Sequence, residues 1–139
     1  MSFEEKSTWI QVVVVIVAPG VYFLTIIGQL RTTPVAEIAY QGAMLWSVGV
    51  AVAAIVAATI VISIASPKEA DKSDERDTNI NRFGEYIGSY PLYAGGVLAL
   101  FFALAEFKHF WIANTLYATF VLAGLTTTVV KLLAYRRGF

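Results

Sequence analysis

The chain has 139 residues, 58% of them hydrophobic and 14% charged, with a mean hydropathy of +0.67, which is more apolar than one soluble core requires. Ten basic residues balance ten acidic ones, so no overall charge draws the chain to nucleic acid. Cysteine is absent, which excludes disulfides, thiolate metal sites and dithiol redox chemistry.

The first segment, "MSFEEKSTWIQ", carries Glu4 and Glu5 beside Lys6, whereas a secretory signal opens on a basic region and ends at a small-residue cleavage site. The first apolar span is therefore expected to remain in the mature protein. Residue 2 is serine and the last residues are "YRRGF", so neither end offers a lipidation signal. A hydrocarbon core about 30 Å thick takes about 20 apolar residues at 1.5 Å each. Four windows meet that length: 9–30, 43–65, 86–105 and 111–134. The first three contain no charged residue, and the fourth contains only Lys131, close enough to its end for the ammonium to reach the headgroups. Trp9, Tyr40, Trp46, Tyr86, Phe110, Trp111 and Tyr135 fall near the borders, as interfacial aromatics do.

In span one, Pro19 cannot donate to the Val15 carbonyl, and Pro91 does the same to Ile87 in span three. Both helices are expected to bend there and free a carbonyl. Such breaks line substrate sites in some transporters, and they are also common in membrane helices whose neighbours satisfy the freed group. Tyr22, Thr25 and Gln29 follow Pro19 along one side of the helix. Span two sets Gly49, Ala53 and Ala57 four apart, and span three opens with Gly84 and Gly88 in the same spacing. These are faces on which another helix backbone can approach closely. The Pro-Gly pattern at the start of each half also admits an internal duplication, its halves related by an axis along the membrane normal.

Between spans two and three lies "DKSDERDTNINRFGEY", residues 71–86, where charge concentrates. Asp77, Asn79 and Asn81 imitate the first ligands of a calcium loop, but Arg82 stands where glycine must turn and Gly88 where a bidentate glutamate belongs. Read as a helix, Ile80, Phe83 and Ile87 form an apolar stripe with Arg76, Asp77, Arg82 and Glu85 largely off it. The expectation is an amphipathic lead-in lying at the interface and running into span three. The candidate polar positions are Arg76, Asp77, Arg82, Glu85 and Lys131, with a Glu85–Lys131 pair across helices as the sharpest possibility.

With four spans, Lys6, Lys68, Lys72, Arg76, Arg82, Lys131, Arg136 and Arg137 share one side, and Arg31 and Lys108 the other. By the positive-inside rule both termini and the charged stretch are cytoplasmic. His109, the only histidine, follows Glu106 by three residues in the outer turn; one imidazole and one carboxylate make a poor metal or haem site. No nucleophile elbow, P-loop, HExxH or nucleotide fingerprint occurs. The expected architecture is all-α, an integral membrane four-helix bundle forming one domain over 1–139, with no cofactor, no metal and no enzyme activity.

At "DERDTNINRFGEY" and "HFWIANTLYATFVLAGLTTTVVKLLAYRRGF" the chain resembles a family of small four-span bacterial membrane proteins of unknown function. That resemblance implies an actinobacterial type of protein in the plasma membrane, and membership of a regulator-linked stress or immunity module; it carries no catalytic residue. The leading expectation is an accessory or regulatory component acting through helix packing and its cytoplasmic charged face, with the bilayer, a homo-oligomer or a membrane protein as partner. The alternatives are a transporter or channel lined by the proline-containing spans one and three, and a lipid- or quinone-binding protein.

Overall fold

The computed structural model describes residues 2–70 and 74–138. Four long helices, α1 (Phe3–Leu30), α2 (Gln41–Ala65), α3 (Glu75–Leu104) and α4 (His109–Arg137), account for most of them, and each is long and apolar enough to cross a membrane. A 3₁₀ turn at Val35–Glu37 sits in the first connection and a single helical turn at Pro67–Ala70 in the second. Asp71, Lys72 and Ser73, part of the charged stretch, lie outside the described residues.

α1 and α3 begin at capping side chains. Ser2 Oγ accepts from the Glu5 backbone N–H at 3.1 Å, and the Asp74 carboxylate from that of Asp77 at 2.8 Å, each satisfying an otherwise orphaned donor. Glu4 and Glu5 in the first turn of α1, Glu75 and Asp77 in that of α3, and Arg136 and Arg137 in the last turn of α4 all complement the helix dipoles. α3 ends at Ala105 with Glu106 left-handed (φ 57°). The Glu106 N–H then returns to the Ala103 carbonyl and that of Phe107 to Phe102, while the Phe102 and Phe107 rings stack at 4.9 Å. This is a Schellman closure with its hydrophobic clasp.

One expectation is corrected by this geometry. Both helices continue through their prolines, α1 through Pro19 and α3 through Pro91. The lead-in is not a separate interfacial helix, because residues 75–85 continue into α3 as one helix of 30 residues. The physical reason is packing. Ile80 is fully buried, Asp77 nearly so, and Gly84 and Gly88 bring the same helix against α4, which holds this segment beside its neighbour.

Sequential helices pack as antiparallel hairpins, α3 on α4 most extensively and α1 on α2, and α1 also packs on α4. α2 and α3 do not pack extensively on each other, so the bundle is open between them. The α3–α4 seam is built on glycine. A Cβ on Gly84 would sit 2.6 Å from Lys131 Cγ, one on Gly88 3.0 Å from the Ala123 carbonyl oxygen, and one on Gly95 2.6 Å from Thr119 Cβ. Close backbone approach of this kind is how membrane helices gain dispersion contacts when lipid is as apolar as protein. The hydrophobic core lies toward the other end, where Tyr22, Ile26, Ile38, Tyr40, Phe110 and Tyr117 cluster. α2 buries none of its residues against the other helices.

Candidate functional site

At the charged end, the N-termini of α1 and α3 meet the C-terminus of α4. Tyr135 is the linchpin. Its hydroxyl donates to Asp77 Oδ1 at 2.9 Å, and its carbonyl accepts from Arg76 Nη2 at 3.2 Å, with the Arg76 guanidinium 5.8 Å from the Tyr135 ring centroid. Asp77 is 5% exposed, so its carboxylate is held by that hydroxyl and by the positive end of α3 in place of bulk water. α1 is tied in by the Asn81 amide, donating to Glu4 Oε2 at 3.4 Å, and by Arg136, 5.3 Å over the Trp9 ring. Thr8, buried at 3% exposure, turns its hydroxyl back to the Glu4 carbonyl at 2.8 Å.

Of the five charged positions singled out from sequence, Arg76 and Asp77 thus meet at one tyrosine. Lys131 is buried, its stem laid over Gly84. Because Lys131 makes no hydrogen bond and no buried nitrogen or oxygen among the described residues lacks a partner, its Nζ keeps accessible surface, as a snorkelling lysine does. Arg82 and Glu85 are exposed, and Glu85 forms no ion pair with Lys131, whose stem lies over the Gly84 face of α3 while Glu85 projects from another face. Glu75, Thr78, Arg82 and Glu85 are all exposed at i, i+3, i+7 and i+10, a single charged stripe. Glu75, Arg82 and Glu85 make no hydrogen bond or ion pair among the described residues. In the sequence, Trp9 and Tyr135 mark only membrane borders, and Asn81 only imitates a calcium-loop ligand. The one available signal was that a border tyrosine beside two arginines would return to the level of residues 75–82.

A second polar string crosses the bundle near Pro19. Tyr22, 3% exposed, donates to Asn114 Oδ1 at 2.6 Å, and the Asn114 amide donates to the Phe110 carbonyl at 2.8 Å. Ser47 on α2 donates to the Ala18 carbonyl at 3.0 Å and contacts the Tyr117 hydroxyl. Beside it, α1 and α2 frame an open, mostly apolar groove of about 350 Å³ lined by Ala18, Tyr22, Trp46 and Ser47 among others. Every polar group named here is bonded within the chain. Pro91 is half-buried in α3, and Pro19 lines a groove with α2 residues and with Tyr117 and Phe120.

Asp77, Asn79 and Asn81 lie on a regular helix, and no group of three metal-ligating side chains forms among the described residues. His109 is exposed in the first turn of α4. Among the small residues, Gly84 and Gly88 pack inside the chain, while Gly49, Ala53 and Ala57 are exposed and Gly49 has no atom within 4 Å of where a Cβ would stand. No protein-family model matches the chain, and no curated protein or solved structure matches it at a significant level.

Proposed function

We propose that this chain is a non-enzymatic accessory or regulatory membrane component that presents the charged stripe of α3 to a protein partner at the membrane surface. One observation carries this reading: Glu75, Arg82 and Glu85 occupy one exposed face, make no hydrogen bond or ion pair among the described residues, and stand on a helix whose neighbouring charges are fixed by Tyr135 and α4. Alternating charge on a rigid helix selects partners and orients their approach more than it adds raw affinity. The positive-inside bias supports a cytoplasmic position for this face, and the resemblance noted above supports a bacterial plasma membrane as its location.

The test is a photo-crosslinking residue at position 82, compared with one at Leu24, which is 74% exposed on the apolar surface. A protein adduct of defined mass from position 82, absent at position 24 and abolished by Glu75→Lys with Glu85→Lys, is the expected result. Equal or absent protein adducts at the two positions would rule out the stripe as a docking face.

A further inference from the structure

A groove of about 240 Å³ lies between α3 and α4 at the charged end, lined by Phe83, Val130, Leu133, Ala134 and Arg137. Its two walls share one design. On α4, Arg137 stands seven residues beyond Val130; on α3, Arg76 stands seven residues before Phe83 and on the same helix face. At 1.5 Å per residue, each wall sets an arginine Cα about 10 Å along the helix from that of an apolar residue. Arg76 is fixed at the last turn of α4 by its hydrogen bond to the Tyr135 carbonyl, two residues from Arg137, and a guanidinium has further donors to offer.

Among the described residues, basic side chains outnumber acidic ones around the groove. α4 contains no aspartate or glutamate, and on α3 Glu75, four residues before Asn79, stands at the edge of the face carrying Arg76, Asn79 and Phe83. Asp77 is turned into the helix contact and held by Tyr135, and Glu75 and Glu85 lie on the stripe with Arg82. Below the guanidinium level the lining is hydrocarbon. Basic pockets between membrane helices at this level take phosphate headgroups, to which arginine offers paired donors.

We propose that this groove is a site for one anionic phospholipid of the adjoining leaflet, its acyl chain along Phe83, Val130 and Leu133 and its phosphate held by Arg137 and Arg76. The proposal is independent of any protein partner for the opposite stripe.

The chain, reconstituted in vesicles of equal phosphatidylglycerol and phosphatidylcholine and released for native mass spectrometry, is expected to retain one phosphatidylglycerol in strong preference to phosphatidylcholine. Arg137→Gln removes an exposed side chain that makes no other hydrogen bond or ion pair among the described residues, and should weaken retention about fivefold. Val130→Phe fills the groove with every charge in place, and should weaken it as well. Millimolar inorganic phosphate should leave the bound lipid in place. Equal retention of the two lipids overturns the site. So does displacement by phosphate, or loss in Arg137→Gln with full retention in Val130→Phe, because each reduces the interaction to surface charge. Unchanged circular dichroism and thermal midpoints in both variants separate lipid loss from misfolding.

Discussion

Two residues carry conformational or electrostatic cost that their surroundings offset. Glu106 adopts a left-handed conformation (φ 57°) at the end of α3, where a side chain costs about 1–2 kcal/mol relative to glycine. The flanking bonds to Ala103 and Phe102 and the stacked phenylalanines hold it there. Glu106→Gly should therefore raise stability by about 1 kcal/mol, read as a higher thermal midpoint in detergent, and Glu106→Ala should give no such gain. Tyr135 answers a buried carboxylate. Tyr135→Phe removes the donor and leaves Asp77 underbonded, an expected loss of about 1–3 kcal/mol in detergent unfolding. A loss no larger than that of Tyr90→Phe, whose exposed hydroxyl bonds only Tyr86, would show that Asp77 draws little from this bond. The local signals for Asp77 were readable, since it sits in the first turn of a capped helix. Its partner lies 58 residues away, a distance over which no periodicity speaks.

Small residues on two helices look alike in sequence and behave differently in space. Gly88 faces Thr127 and the Ala123 carbonyl, so Gly88→Ala pushes a methyl group against backbone that cannot rotate away, an expected cost of about 1–3 kcal/mol. Gly49→Ala meets open space and should match or slightly exceed the parent in stability, since alanine favours helix over glycine by about 1 kcal/mol. Equilibrium unfolding of the two variants side by side checks both, and equal effects would mean the seam does not depend on close approach at Gly88. Their spacing marked both faces as places where a backbone can approach. Which of them has a neighbour depends on the order of packing, and a small-xxx-small pattern contains no record of that order. The prolines teach the same lesson at helix level: each removes one donor, yet α1 and α3 stay continuous because the remaining backbone bonds and the neighbouring helices keep them so.

For the molecule as a whole, charge distribution and helix order are separate determinants. The absence of cysteine makes any introduced thiol a unique reporter of sidedness. With the orientation proposed above, Thr32→Cys in the outer connection should react with a membrane-impermeant maleimide on intact cells, and Lys68→Cys only after permeabilisation. The reverse pattern would place the charged stripe outside and remove the ground for a cytoplasmic partner.

What the amino-acid sequence determined alone was the number of membrane helices, their approximate ends and the gathering of charge at one end. Those properties are local: helix length follows from hydrocarbon thickness and unbroken apolar runs, because backbone polar groups in lipid must bond within their own segment. The tertiary structure decided that α3 runs as one helix from Glu75, that Asp77 meets Tyr135, that the bundle stays open between α2 and α3, and that Gly49, Ala53 and Ala57 look outward. In a bilayer the side of a helix that meets lipid is as apolar as the side that meets another helix. Hydrophobic pattern therefore marks which segments enter the membrane and leaves their neighbours to be chosen by close packing and a few long-range polar bonds.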